Sequence, residues 1–120
     1  MKDLIKKMKL MEWFKTLPFQ DVTLCWTERS GGTSFAKAQM KKKIITLFPA
    51  IFEKTFESVQ HTVFHELAHI KQYDDEGTSH HDSIFEQIKM NLILEFGSVE
   101  IAKAQRSHKI ARALFANDSN

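Results

Sequence analysis

The stretch Phe56–Tyr73, FESVQHTVFHELAHIKQY, decides how this sequence is read. Its apolar residues Phe56, Val59, Val63, Leu67 and Ile70, continuing Phe52 upstream, recur at intervals of three and four, the period of one helix face. Inside it stands His65-Glu66-Leu67-Ala68-His69. Four residues advance an α-helix by about 6 Å and a little over one turn, so both imidazoles lie on one face and can converge on one zinc at roughly 2.0 to 2.1 Å. Glu66, about 100° further round, does not chelate beside them but can take a proton from a water at the metal's open position. It is the candidate general base. At this composition the pattern is expected by chance about 0.02 times, before any demand for helical context. The competing reading is a pair of ordinary surface histidines.

Working outward, Pro49 suits the first turn of the helix, and a break is expected near Glu57. The polar run Asp74–Ser79, with Gly77, reads as a loop; Asp82 or Ser79 then caps a helix that runs to Phe96 and ends at Gly97. Upstream, VTLCW from Val22, a turn at Ser30-Gly31-Gly32, TSFAKAQ, and the apolar run IITLF after a lysine triplet predict a three-stranded antiparallel meander. Val22, Leu24 and Trp26 share one face of the first strand, which assigns Trp26 to the core rather than to a base-stacking surface. Residues 2–16 predict an amphipathic helix that buries Leu4, Ile5, Met8, Met11 and Phe14, turns a lysine-rich face outward and stops at Pro18. Ser98 is the N-cap expected for a last, basic helix over about 98–115, with Lys103, Arg106, Lys109 and Arg112 opposite Ile101, Ala104, Ala111 and Leu114. The expectation is a single α+β domain over 1–120, a short antiparallel sheet packed on the HExxH helix with further N- and C-terminal helices.

Composition agrees with an ordinary globular chain. The 120 residues are 42% hydrophobic and 27% charged, which excludes disordered and collagen-like classes. The single cysteine, Cys25, can form neither an intramolecular disulfide nor a redox pair, and an intracellular, cytoplasmic setting fits. The N-terminal MKDLIKKMKLMEWF carries a charge every few residues, so neither a signal peptide nor a membrane span is expected there. The net charge of +2 is unevenly spread: residues 1–20 and 21–48 each carry +3, residues 49–97 carry −6, and residues 98–120 carry +2. An acidic middle is flanked by basic ends.

A catalytic zinc usually takes three protein ligands and a water. Gln72 and Asp75 stand where the long HExxHxxGxxH pattern would need glycine and histidine. Asp75 alone suits an aspartate ligand but lacks the glycine of the sharp turn, and Glu86 or Glu95 could supply a glutamate from the following helix. His80 and His81 sit just past the loop, within reach of the zinc face if it folds back.

With HELAH at 65–69, a histidine after a short loop and an aromatic residue four positions on (His81 and Phe85 in HDSIF), the chain resembles the SprT-like metallopeptidases. Trp26 on the first strand, Gly31 and Gly32 in the hairpin, and the basic-then-apolar strand before the active helix extend the resemblance over about residues 20–96. It implies a small zincin-like metalloprotease fold, Zn2+ held by His65, His69 and His81, and Glu66 as base. The spacing to Phe85 favours His81, with His80 as the slip-by-one alternative. Asp82 stands where members often have glycine, and one cysteine cannot build the zinc ribbon that many carry.

His61 and Tyr73 extend the row through His65 and His69 and would flank the metal on a continuous helix, to touch substrate or an oxyanion, or simply to pack. Asp82 is read either as an acceptor orienting an imidazole or as an N-cap. The Asp74-Asp75-Glu76 run reads as a solvated loop or a negative rim. The expected function is zinc-dependent hydrolysis of peptide bonds in a protein or peptide substrate, by a metal-activated water. Two alternatives stand beside it: a DNA-associated protease making weak nucleic-acid contact through the basic flanks, and a non-enzymatic zinc-stabilised binding or inhibitory protein.

Overall fold

The structure, a computed structural model, describes residues 2–98 and 101. Thr55 is extended, and its side chain accepts the Ser58 N–H at 3.2 Å, which starts helix α2 (Phe56–Glu76). Pro49 begins instead a separate 3-10 turn, Pro49–Glu53, so the break lies at Lys54–Thr55, slightly upstream of the position expected near Glu57. At the other end α2 continues three residues past Tyr73. Gly77, in the left-handed conformation with φ of 77°, ends it and donates its N–H to the Tyr73 carbonyl at 2.7 Å. Three carboxylates at a helix C-terminus oppose the dipole. Two of them are compensated: Lys43 Nζ lies 3.2 Å from Asp74 Oδ2, and Gln72 Nε2 donates to Glu76 Oε2 at 3.0 Å.

Three strands, β1 (Thr23–Trp26), β2 (Ala36–Gln39) and β3 (Ile44–Leu47), form a mixed sheet in the order β1-β3-β2. The hairpin β2–β3 is antiparallel, pairing Ala36 with Leu47 and Gln39 with Ile44. The expectation of an all-antiparallel meander is corrected at β1, which runs parallel to β3 from Thr23–Ile44 to Trp26–Leu47. Residues 27–35 are too long for a tight hairpin turn and carry the chain past the site of β3. The most apolar strand then takes the centre, with Ile45 and Leu47 wholly buried. At the tip of the β2–β3 hairpin Lys43 adopts a positive φ of 55°, and its ammonium is held by Asp21 at 2.7 Å as well as by Asp74.

The sheet covers one side of α2 and helix α3 (Ser83–Phe96) another, so α2 buries residues on most of its circumference. The core gathers Leu24, Ile45 and Leu47 from the sheet, Val63, Phe64 and Leu67 from α2, and Phe85, Leu92 and Ile93 from α3. Helix α1 (Lys2–Lys15) adds Leu10 and Phe14, with the Trp13 ring edge-on to Phe64 at 5.4 Å. Trp26 is partly buried and edge-on to Phe52, as expected of a core residue.

The face that α1 buries is only partly the expected one: Phe14 is buried and Met11 partly so, but the first two turns differ. Leu4, Ile5 and Met8 are each more than half exposed, while Lys6 and Lys7 turn toward the protein. Lys6 Nζ donates to the Phe52 carbonyl at 2.6 Å and the Lys54 carbonyl at 3.3 Å, and the Lys7 ammonium sits over the Trp26 and Phe52 rings. The last carbonyls of the 3-10 turn have no partner of their own in the turn, and an ammonium satisfies them. Beyond α3, the Ile101 N–H donates to Ser98 Oγ at 3.4 Å and Ile101 is buried, in keeping with the expected cap. The rest of the predicted basic helix lies outside the described residues. Among the described residues no helix is long and apolar enough to cross a membrane.

Candidate metal centre

His65 and His69 stand one turn apart on α2. The Gly77 turn reverses the chain, and Asp82 accepts the Phe85 N–H at 2.9 Å to cap α3, which fixes the position of His81 between the two helices. One ligand atom from each of His65, His69 and His81 lies within 4.8 Å of the other two. His69 Nε2 and His81 Nε2 are 2.8 Å apart. One shared proton accounts for that distance in the metal-free chain, and three neutral imidazoles converging from two segments are a donor set of the kind that holds a metal ion. Phe85, wholly buried, forms the floor: its ring centre is 4.9, 4.5 and 4.9 Å from those of His65, His69 and His81. The aromatic residue four positions after His81 therefore has a defined role, supporting all three imidazoles.

Electrostatics favour the same use. Burial, then the charge of Lys89 and the proximity of His69, His81 and His61, hold the His65 imidazole down at about 3. Burial, then His81 and Lys89, hold His69 at about 4. Both are thus neutral near pH 7, the form in which an imidazole ligates. Burial alone pushes the Glu66 carboxyl up to about 7, within the range of a general base. Glu66 and His65 open onto a cleft of about 470 Å³ whose other side is formed by Phe35, Ala36, Ile51 and Lys54. Ala36 belongs to β2, an outer strand of the sheet, so a strand edge that pairs with no further strand among the described residues borders this cleft.

Other expected residues divide. His61 lines the cleft beside Thr62 and His65. Tyr73 is half-buried near the end of α2 and stays out of the histidine group, as do His80, Asp75, Glu86 and Glu95. Asp82 acts as the N-cap and also accepts from Gln72 Nε2 at 3.1 Å; the Phe85 N–H, more than the Gln72 amide, keeps its carboxyl below the usual range. The roles of three residues escaped the sequence reading. Lys89 is buried, pairs with Glu86 at 3.3 Å and points its ammonium over the Phe85 ring. Gln72 is wholly buried, and Ser79 Oγ lies 2.7 Å from His69 Nδ1. The one signal for them was an amide at position 72, where the long zinc pattern would have glycine.

A mixed three-stranded sheet beside a central helix, with three converging histidines, defines a small α+β protein with a candidate metal centre. The chain belongs to the SprT-like family, whose model matches residues 2–105. Among solved structures it is similar to the crystal structure of the metallopeptidase zymogen of Pyrococcus abyssi abylysin, with 24% sequence identity, a TM-score of 0.53, and coverage of 93% of this chain and 94% of that one. That likeness is one of fold. No curated protein matches.

Proposed function

We propose that this protein is a zinc-dependent metallopeptidase in which His65, His69 and His81 hold the ion and Glu66 is the general base. The observation that carries the reading is the convergence of three imidazole nitrogens within 4.8 Å beside a buried carboxyl that opens onto a cleft. Membership of the SprT-like family and the likeness to a metallopeptidase zymogen support it. Zinc, when bound, supplies Lewis acidity toward the scissile carbonyl and toward water. The chain's own residues do the rest. Glu66, with its carboxyl held near neutrality, removes the proton of the attacking water and returns it to the leaving amine. The outer edge of β2 offers backbone groups to an extended peptide, and Phe35 and Ile51 give an apolar wall to one of its side chains. Phe85 beneath the imidazoles excludes water from their inner side.

The test is a pair of variants assayed for metal content and peptide cleavage. His65→Ala or His69→Ala loses stoichiometric zinc, whereas Glu66→Gln keeps zinc and loses cleavage by about 10²- to 10⁴-fold, the usual contribution of a positioned base. A wild-type rate surviving in Glu66→Gln removes Glu66 from the mechanism.

A further inference from the structure

The hydrogen bonds around Gln72 run in only one direction, and that direction reaches the candidate metal centre. The His80 backbone N–H lies 3.0 Å from one end of the Gln72 amide; it can only donate, so that end is the oxygen. The other end faces Glu76 Oε2 at 3.0 Å and Asp82 Oδ1 at 3.1 Å; ionised carboxylates only accept, so that end is the NH₂. The amide orientation is thereby fixed twice. Ser79 Oγ, 3.1 Å from Gln72 Oε1, must spend its single proton there. Toward His69 Nδ1, 2.7 Å away, the same hydroxyl can then only accept.

We infer that Gln72 and Ser79 are positioning residues for this centre: through Ser79 they hold His69 as the Nδ1–H tautomer, with the Nε2 lone pair directed to the place where His81 Nε2 also points, 2.8 Å away. The same amide grips the backbone at His80 and the side chains of Ser79 and Asp82, so one wholly buried side chain on α2 fixes the segment that carries His81. Gln72 is three residues after His69, on the neighbouring strip of the helix, and its four amide bonds are all made. The histidine that HExxH supplies and the histidine that the loop supplies are set by a single residue between them. This rests on the metallopeptidase reading for its purpose but not for its geometry.

The tautomer is read directly from long-range proton–nitrogen NMR spectra of ¹⁵N-labelled, chelator-treated protein, with His69 assigned by its absence from His69→Gln. In the wild type, His69 carries its proton on Nδ1. Ser79→Ala abolishes that single pattern and weakens zinc binding, measured by competition with a chromophoric chelator, by about 10- to 100-fold, the usual effect of losing a partner that orients a ligand. Ser79→Thr, which keeps the hydroxyl, restores both, an outcome that simple loop loosening would not give. A wild-type His69 protonated on Nε2, or a Ser79→Ala protein with unchanged tautomer and zinc affinity, overturns the inference. A wild type that shows the Nδ1–H pattern yet takes up no zinc supports the hydrogen-bond assignment and overturns the metal reading, so the two fail separately.

Discussion

At Glu66, His65 and His69 the same burial acts in opposite senses, since it disfavours the charged form of each group. The signs determine how the metal-free protein responds to acid. The two histidines fall from 6.5 to about 3 and about 4 on folding, so between those values and 6.5 the unfolded chain binds more protons than the native one. Their stabilisation is full above pH 6.5 and is lost as pH falls toward 3 to 4. Glu66 is raised from 4.5 to about 7, so its contribution is full below 4.5 and is lost as pH rises through about 7. Between 4.5 and 6.5 two histidines oppose one glutamate; below 4.5 only the histidines remain. Chelator-treated protein should therefore lose stability as pH is lowered from 6.5 to 4, and Glu66→Gln should make the decline steeper above 4.5. Urea unfolding midpoints across this range measure both effects; a flat profile in the wild type contradicts the burial assigned to the histidines.

Among the elements, the loop from Gly31 to Phe35 has little room to change. A Cβ on Gly31 would clash with the Phe48 ring at Cγ, and Phe48 is itself tied to this loop by its N–H to the Phe35 carbonyl at 2.9 Å. Phe35 is one wall of the cleft. Gly31→Ala should cost about 1 to 3 kcal/mol, the usual effect of overpacking, and should raise KM with little change in kcat, because α2 and its histidines are left in place. Urea unfolding and peptidase kinetics check the two parts, and wild-type stability in Gly31→Ala would show that Phe48 yields freely. The elements that could be read from sequence are those set by local rules: the apolar period of α2, the Asp82 cap, the β2–β3 hairpin. Those that could not were settled by distant partners. The parallel pairing of β1 depends on residues 21 positions further along the chain, and α1 carries two apolar stripes, Leu4–Met8 and Leu10–Phe14, between which periodicity cannot choose. The carbonyls of Phe52 and Lys54 choose, by drawing in Lys6.

On the scale of the whole molecule, the candidate centre joins parts of the chain that the backbone alone leaves loosely connected. His65 and His69 were legible because helix geometry sets them from four residues of sequence. His81 was reached through a family resemblance, since no local rule says how far a loop folds back; the Gln72 network that holds it is a tertiary arrangement with no spacing of its own. A metal bound by all three histidines clips α2 to the segment leading into α3, the largest helix–helix contact in the described fold. An ion that binds the folded chain alone stabilises it by mass action, about 2.7 kcal/mol at a free concentration 100 times Kd. For a domain of this size that is on the order of 10 °C in Tm. Calorimetry with zinc and with chelator should show such a rise in the wild type and in His80→Ala, and only a small remnant in His81→Ala, where two ligands on one helix no longer bridge to the loop. An equal zinc-induced rise in His81→Ala and wild type would mean that the ion is held without the loop histidine; a rise lost in His80→Ala and kept in His81→Ala would exchange the two neighbours as third ligand.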